Sequence, residues 1–451
     1  MKKILAMILA MIMVMALVAC GNQNSTSGGD TSGSSTGVAT TTPDSSSGGD
    51  TGRVYWLNMK PEADEALQAL AAAYEAQTGV PTKVVTAASG SYDTTLNAEM
   101  GKSEAPTLIN VGNGSSLATW EDYCLTLDGA DVMGELTTTD FNLKNAAGET
   151  KSLGWIYESF GIITNKALLE QAGYSIADIK DFASLKAVAE DIHARSAQLG
   201  FDAFTSSGLY GSSSWRFSGH LSNMPLYYEF RDDGITDQPA AIKGTYLDNY
   251  RAIWDLYIDN ASASKTSLSS ATGDQAEAEF GEGKAVFYQN GTWEWSNLTE
   301  KFNMNPDDLT MIPIYCGVAG EEKAGVCSGT ENCLAVNSKV SEADQKATLD
   351  FLYWCVTSDE GLKTLSGIGD IPFKKAPAAT NGLSAAAADL LAKGNYAVTW
   401  AFNYTPNVDS WRATLVTALT AYSADQSDAK WADVVAAVVD GWAYEYQVVN
   451  G

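Results

Sequence analysis

Two tryptophans follow a β-prone run in the second half of the chain. Residues 285–288 lead into the turn Asn290-Gly291, and Trp293 and Trp295 come directly after it. An indole offers a flat apolar face and one polar N–H, which suits a partner that is part hydrophobic and part hydroxyl. Because ligands of open α/β sheets bind beyond the carboxyl ends of strands, this turn is a candidate ligand platform. The alternative is that both indoles begin a buried helix.

Residues for nucleophilic or metal-assisted catalysis are scarce. The chain has two histidines, His193 and His220, and neither a Gly-x-Ser-x-Gly nor a His-Glu-x-x-His motif. Three acids, Asp232, Asp233 and Asp237, miss the EF-hand spacing and fit a solvated turn better than a calcium loop. A Gly-x-Gly-x-x-Gly loop is absent as well, so we expect no metal and no cofactor. Glycoside hydrolysis stays open, since it needs only two carboxylates across a bond.

Charge and the first residues bear on partners and location. A net charge of −27 argues against nucleic acid as a partner, because such binding relies on Lys and Arg neutralising phosphates. Residues 4–18 form an apolar run behind Lys2 and Lys3, which is too short for a membrane span and is typical of a signal peptide. Residues 17–21, Leu-Val-Ala-Cys-Gly, resemble a bacterial lipobox and imply that Cys20 is acylated. An ordinary secretion signal is the alternative.

The next segment, residues 21–50, is rich in Ser, Thr and Gly. Such a composition buries too little surface to order itself, so we predict a flexible tether behind a lipoprotein signal peptide, residues 1–20, that is cleaved before Cys20. Five cysteines remain after Cys20, an odd number. Cys316 and Cys327 flank a Gly-rich loop between two strand-like runs, which makes a hairpin disulfide one interpretation, although pairing requires a geometry that sequence cannot give.

The remaining 401 residues from position 51 onward are more than one ordinary domain, so we expect two lobes. Strand and helix patterns alternate from residue 53 to residue 111, which predicts an α/β fold with a parallel sheet flanked by helices. The carboxyl ends of parallel strands meet at one edge of a sheet, so the loops there should bring candidate binding residues together. These residues are Asn58, Ser91, Tyr92 and Asn113.

Residues 154–166 carry a more specific signal. They form a strand that runs into Asn165-Lys166, an apolar pair and Ala172-Gly173, and this order resembles the first inter-lobe crossover of bacterial extracellular solute-binding proteins of the sugar-transport type. Further stretches resemble that family in the same order along the chain, namely residues 53–60, 291–298, 309–314, 328–338, 371–373 and 405–413. Together they cover most of residues 51–451.

The resemblance implies a two-lobed, periplasmic-binding-protein-like fold. Each lobe would hold a mainly parallel sheet flanked by helices, and three crossover segments near residues 157–160, 326–332 and 370–374 would act as hinges. Lobe 1 would comprise residues 51–158 and 329–371. Lobe 2 would comprise residues 159–328 and 372–451.

The resemblance also implies binding roles. Glu158 would accept hydrogen bonds from sugar hydroxyls, with Tyr157 stacking or donating beside it, and Trp293 would stack on the sugar. We expect Glu158 and Trp293 to come from opposite walls or lips of one groove. Trp411 aligns approximately with a second stacking tryptophan, with helix core as the alternative. Positions in predicted loops add four further candidates, Trp155, Trp215, Glu331 and Trp400.

Two departures from the maltose-binding pattern bear on the ligand. An expected acid is missing near Asn58-Met59-Lys60, and Gly112-Asn113-Gly114 lacks charged and aromatic groups. We therefore expect a sugar that is not recognised as maltodextrin is.

The family implies a monomeric, non-enzymatic, extracytoplasmic protein, anchored to the cell membrane through its lipid. It would capture a carbohydrate, an oligosaccharide, and deliver it to the permease of an ABC importer. One alternative is the same fold binding a peptide, polyamine or polyol. The other alternative is a surface glycoside hydrolase.

Overall fold

A computed structural model describes residues 51–88 and 90–451. The signal peptide, the lipidation of Cys20 and the tether were predicted for residues 1–50, which lie outside the described residues. Among the described residues, no helix has the length and apolar character that crossing a membrane requires.

The described chain begins with strands and helices of one sheet. They are β1 (Val54–Asn58), α1 (Asp64–Thr78), β2 (Thr82–Thr86), α2 (Tyr92–Met100), β3 (Leu108–Asn110), α3 (Gly114–Trp120), β4 (Leu143–Lys144) and β5 (Thr150–Gly154).

The chain then builds a second sheet. Its elements are β6 (Glu158–Asn165), α4 (Lys166–Gln171), α5 (Phe182–Ala194), α6 (Ser196–Leu199), β7 (Asp202–Phe204), α7 (Ser222–Asp233), α8 (Leu247–Asp259), α9 (Gly273–Gly281), β8 (Ala285–Gly291), β9 (Leu309–Ile312) and β10 (Ala324–Gly329).

It returns once to the first sheet before it ends on the second. The return comprises β11 (Cys333–Val336), α10 (Glu342–Thr357) and α11 (Asp359–Ile368), and the end comprises α12 (Gly382–Ala392), β12 (Tyr396–Thr399), α13 (Val408–Ala424) and α14 (Asp428–Asn450).

Local signals explain the predicted start of the fold. Pro61 opens a short 3-10 turn before α1, since its missing N–H has no partner to lose there. Gly79 ends α1 in the left-handed conformation at φ 74°, which glycine adopts without steric cost. The apolar side of α1, with Leu67 and Leu70, packs into the core beneath the first sheet.

The strand order confirms the two-lobed α/β fold but corrects one detail. The first sheet runs β2-β1-β3-β11-β5-β4, and the second runs β12-β10-β6-β8-β7 with β9 also on β6. Each sheet has its own principal apolar core. Both sheets are mixed, whereas mainly parallel sheets were predicted. The reason is that β6 and β11 each enter from the other lobe and run antiparallel to the strands beside them.

Three segments carry the chain between the sheets. They lie between β5 and β6 (155–157), between β10 and β11 (330–332), and between α11 and α12 (369–381). The first two are three residues long, so short links join the lobes. All three adjoin or overlap the predicted crossovers.

The predicted disulfide between Cys316 and Cys327 is wrong, because both cysteines are free and buried. A hairpin would have paired the strands on either side of the loop. Instead β9 and β10 pair with successive parts of β6, so they are not hairpin partners. The Cys327 thiol lies against the Met224 sulfur at 3.6 Å.

Candidate functional site

Strand directions bring the candidate loops to one region. In the first sheet β1, β2 and β3 are parallel, so the loops after them leave from the edge at which the link 155–157 begins and the link 330–332 ends. In the second sheet β8 and β10 both run antiparallel to β6 and end where β6 begins. The loops of both lobes therefore meet beside the links, which is the region where open α/β sheets bind ligands.

An aromatic cluster stands at this edge of the second lobe. Trp215 and Trp293 are both half-buried, with ring centroids 5.8 Å apart and planes inclined by 59°. The His220 ring lies 4.7 Å from Trp215 and 5.6 Å from Trp293. Of the two sequence candidates in this cluster, Trp293 rests on the family resemblance and Trp215 on loop position, and the structure brings them together.

The turn after β8 holds Trp293 in place. Trp293 belongs to the 3-10 turn Thr292–Glu294, and its ring lies directly over Gly291. A side chain on Gly291 would collide with the indole, so glycine is needed for this close approach. The Asn381 amide donates to the Thr292 carbonyl at 2.7 Å and fixes the turn from the third inter-lobe segment.

His220 forms the floor of the cluster. It is 5% exposed and stacks on Phe160 at a centroid distance of 3.7 Å. The Gln289 amide donates to His220 Nδ1 at 2.8 Å. Burial, followed by the charges of Arg412 and Arg216, lowers the pKa of His220 well below 6.5. The imidazole is therefore neutral at pH 7, with Nδ1 as an acceptor.

Glu158 lies at this edge, but its carboxylate is engaged within the protein. Its Oε1 accepts from the Lys60 ammonium at 2.8 Å and its Oε2 accepts from the Asn332 amide at 2.6 Å. Neither partner was a sequence candidate, because both are far from Glu158 along the chain. Through these two bonds Glu158 helps to join the lobes. Its role in ligand binding stays a prediction.

The expectation that Glu158 and Trp293 face each other across a groove is wrong. Phe160 on β6 pairs with Gly291 on β8, so β6 begins with Glu158 where β8 ends, two residues before Trp293. The Ser159 amide donates to the Thr292 hydroxyl at 3.3 Å between them. Both residues therefore belong to the same edge of the second sheet.

Tyr157 contributes a second aromatic surface. Its ring stacks on Phe141 at 5.0 Å with planes inclined by 15°, and both residues are half-buried. Burial, followed by the charge of Asp370, raises the pKa of the Tyr157 hydroxyl. Phe141 was missed because it precedes β5 in a segment without a recognisable pattern.

Three predicted residues of the first lobe are used to shape their own loops. Asn58 is 1% exposed, and its side chain bonds Lys60 and Thr86. The Tyr92 hydroxyl accepts a hydrogen bond from the backbone N–H of Asn110 at 2.6 Å. The Ser91 hydroxyl donates to the Ala88 carbonyl at 2.7 Å. Buried polar groups satisfied in this way have little left for a ligand, which corrects the expectation for Asn58.

Asn113 and Glu331 lie where the loop after β3 meets the link 330–332, and both remain candidates for ligand binding. Asn113 caps α3 through the Ser116 amide, and its own amide donates to Glu331 Oε1 at 3.3 Å. Both residues are half-buried. Gly112 lies so close to the Glu331 carbonyl that a Cβ there would clash, which seats the link 330–332 against the loop after β3.

Two acids from opposite lobes meet beside this pair. Asp93 lies in the first turn of α2, and Asp409 lies in the first turn of α13. Asp93 is exposed as a residue, yet burial of its carboxyl, followed by the negative charge of Asp409, raises its pKa, with a further contribution from Glu331. The amino-terminal end of α13 thus faces the first lobe.

Three predicted tryptophans lie in cores, and their assignment to the site is corrected. Trp411 is fully buried between α13 and α14, where its Nε1 donates to the Val438 carbonyl at 3.1 Å. Trp155 is 4% exposed and packs edge-on against Trp56 in the first lobe. Trp400 is 8% exposed and packs on Phe160. In each case the apolar faces that a sugar would need are already covered.

No group of three or more His, Cys, Asp or Glu side chains in residues 51–88 and 90–451 is arranged to hold a metal ion. The arrangement provides aromatic faces, amides and hydroxyl acceptors on two lobes. It is suited to binding a polar molecule with apolar faces.

Comparisons with known proteins agree with this geometry. A family model described as a bacterial extracellular solute-binding protein matches residues 69–393. A comparison with curated protein sequences gives no match.

Several solved structures share the fold. The solute-binding protein RafE in complex with raffinose superposes with a TM-score of 0.70 at 14% identity, covering 88% of this chain and 99% of that one. The GacH receptor of Streptomyces glaucescens, studied unliganded and with acarbose, gives 0.64 at 18%, covering 88% and 98%. A sugar transporter from Bacillus licheniformis with stachyose gives 0.65 at 15%, covering 87% and 100%.

Proposed function

This chain belongs to the bacterial extracellular solute-binding proteins, and from that premise we propose that it captures a carbohydrate, an oligosaccharide, between its two lobes. The observation that carries the proposal is the half-buried Trp215–Trp293 pair at the edge where β8 ends. Indole faces cover the C–H surfaces of sugar rings, while their N–H groups and nearby amides satisfy hydroxyls.

The first lobe supplies the other half of the proposed cleft. Its groups are the Phe141–Tyr157 stack and the Asn113–Glu331 pair. A ligand that touches both lobes favours the closed arrangement, because only that arrangement makes both sets of contacts. Complexes of similar structures with raffinose, acarbose and stachyose support an oligosaccharide as the class of ligand.

The remaining parts of the proposal concern delivery and location. The loaded protein hands its sugar to the permease of an ABC importer, which recognises the closed form. It works as a monomer outside the cytoplasm and is held at the cell membrane through acylated Cys20. Metabolic labelling with a fatty acid and its loss on Cys20→Ser tests the anchor.

A thermal-shift panel tests the proposed ligand class. Neutral oligosaccharides, monosaccharides, polyols, peptides and polyamines are compared, since a ligand that binds only the folded state raises the melting temperature. We expect the largest rise in melting temperature with an oligosaccharide. A rise confined to peptides, polyamines or polyols would replace the sugar with that class, and cleavage of the oligosaccharides during incubation would indicate a glycoside hydrolase instead.

A further inference from the structure

Arginines are few in this acidic chain, and most of them are neutralised. The chain has six arginines against 55 acidic residues. Four of them form ion pairs with carboxylates: Arg53, Arg195, Arg231 and Arg251. The other two, Arg216 and Arg412, have no carboxylate oxygen within 4.0 Å among the described residues. Both of them lie beside His220, whose pKa their charges lower.

Arg216 is buried with most of its hydrogen-bonding capacity unused. It is 1% exposed, and its Nη1 donates to the Gln289 carbonyl at 3.3 Å. Its Nε and Nη2 are buried and have no acceptor among the described residues. The guanidinium carbon lies 5.0 Å from the Phe217 ring centre and 5.4 Å from that of Tyr288, which offsets part of the cost of burying the charge.

The buried acid Glu294, on which the charge of Arg216 acts, is a poor counterion. The charge of Arg216 lowers the pKa of Glu294, but burial, followed by the charge of Glu277, outweighs this effect and raises the pKa to about 7. Near neutral pH a large part of this carboxyl is therefore protonated. Glu294 therefore compensates the positive charge of Arg216 only in part.

Arg412 is the more accessible of the two arginines. It is half-buried on α13, with its guanidinium carbon 5.0 Å from the Phe402 ring centre. One terminal nitrogen would lie 3.1 Å from a Cβ on Gly219, so the guanidinium rests close against that backbone. Its Nε is buried without an acceptor among the described residues. This end of α13 faces the first lobe through Asp409 and Asp93.

Two guanidinium groups without a paired carboxylate among the described residues lie beside the tryptophans, where they can select a ligand by its charge. Arginine offers a planar fork of donors that matches carboxylates, sulfates and phosphates, and such charge-assisted bonds are about twice as strong as neutral ones. Resting on the proposed function, we propose that the captured carbohydrate carries an anionic group, which binds Arg412 while Arg216 adds its charge from behind Gln289. Sugar hydroxyls then face the acids Asp93, Asp409 and Glu331, of which Asp409 lies one helical turn from Arg412 on α13.

Calorimetry with matched sugars tests this proposal. The probes are α-1,4-linked galactotriose, the matching trigalacturonate, a galactotriose monosulfate and a galactotriose monophosphate. We expect at least one anionic sugar to bind about tenfold or more tighter than galactotriose, and this margin to shrink as salt is raised. The three anionic probes distinguish carboxylate, sulfate and phosphate as the source of the charge.

The variant Arg412→Met assigns the preference to its residue. It should reduce the anionic preference to about twofold or less while binding of the neutral sugar is retained, which also shows that the variant is folded. Arg231→Met, at an arginine paired with Asp232, is the matched control and should keep the preference. Equal or tighter binding of the neutral sugar, or an unchanged preference in Arg412→Met, overturns the inference and leaves the proposed function standing. Failure of every carbohydrate in this set and in the thermal-shift panel overturns both.

Discussion

The Lys60 ammonium group lies 2.8 Å from the Glu158 carboxylate, and this ion pair joins the loop after β1 in the first lobe to the first residue of β6 in the second. Both side chains are at most 7% exposed. Lys60 also pairs with Glu62 at 2.8 Å. Burial opposes the charge on Lys60, but the charges of Glu158 and Glu62 outweigh it and raise the pKa of the ammonium group.

Removing Lys60 should destabilise the protein. Lys60→Met leaves Glu158 buried with only the Asn332 amide as a partner. Breaking a buried pair in this way costs about 3–5 kcal/mol, to be measured as the free energy of unfolding in urea. Glu62→Gln is the matched control, because Glu62 is 36% exposed and its pair should contribute about 1 kcal/mol or less. An equal decrease in the free energy of unfolding in the two variants would mean that the Lys60–Glu158 pair stabilises the protein no more than the exposed Lys60–Glu62 pair does.

The aromatic pair should carry affinity for sugar. Trp293→Ala and Trp215→Ala should each weaken oligosaccharide binding by at least about 1–2 kcal/mol, measured by calorimetry, because each removes a face on which a ring stacks. Trp354→Ala is the control, since Trp354 is half-buried in the first lobe and donates to Gln77 away from the links. Unchanged affinity in both site variants would remove the pair from the binding site.

Trp411 should matter for stability. Its side chain is fully buried, 6.2 Å from Trp442 between ring centres. Trp411→Ala should lower the free energy of unfolding by about 3–5 kcal/mol because it leaves a large cavity between α13 and α14. Trp411→Phe should recover part of that loss. A variant with wild-type stability and lost sugar binding would restore Trp411 to the site.

Glu294 should make stability depend on pH. Burial, followed by the charge of Glu277, raises its pKa from 4.5 to about 7 in the folded protein. Between these values the folded state keeps a proton that the unfolded chain releases, so this group lowers stability as pH rises, by about 1.4 kcal/mol per pH unit at most. Below about pH 4.5 the contribution is constant.

Urea unfolding at pH 5 and pH 7.5 checks the sign. Glu294→Gln should lose less stability than the wild type between the two values, whereas Glu300→Gln, at an exposed position in the following turn, should behave as the wild type does. If Glu294→Gln and the wild type change in parallel, the carboxyl of Glu294 titrates normally.

Local patterns accounted for the elements and for the family. The alternation from residue 53 to residue 111, with Pro61 and Gly79 at the ends of a helix, depends on neighbours along the chain, and the observed strands and helix follow it. The place of Trp293 directly after a strand was predictable because a strand, a glycine and an indole are adjacent in sequence.

Long-range pairing limited the prediction of the site. Glu158 and Lys60 are separated by 98 positions, and nothing near either residue indicates that they pair. Trp411 and Trp293 both occur in amphipathic surroundings, and only the packing of α14 against α13 shows that the first is core. For Arg216 and Arg412 the informative property is the lack of a carboxylate partner among the described residues, which no sequence pattern reveals.

A crystal structure with the oligosaccharide that gives the largest thermal shift is the decisive test of sugar binding between the lobes. We expect one sugar chain there, with a ring over Trp293 or Trp215 and contacts from the first lobe at Tyr157, Asn113 or Glu331. A sugar bound to one lobe away from these tryptophans, for instance in the groove between α13 and α14 lined by Thr417 and Ala437, would contradict it.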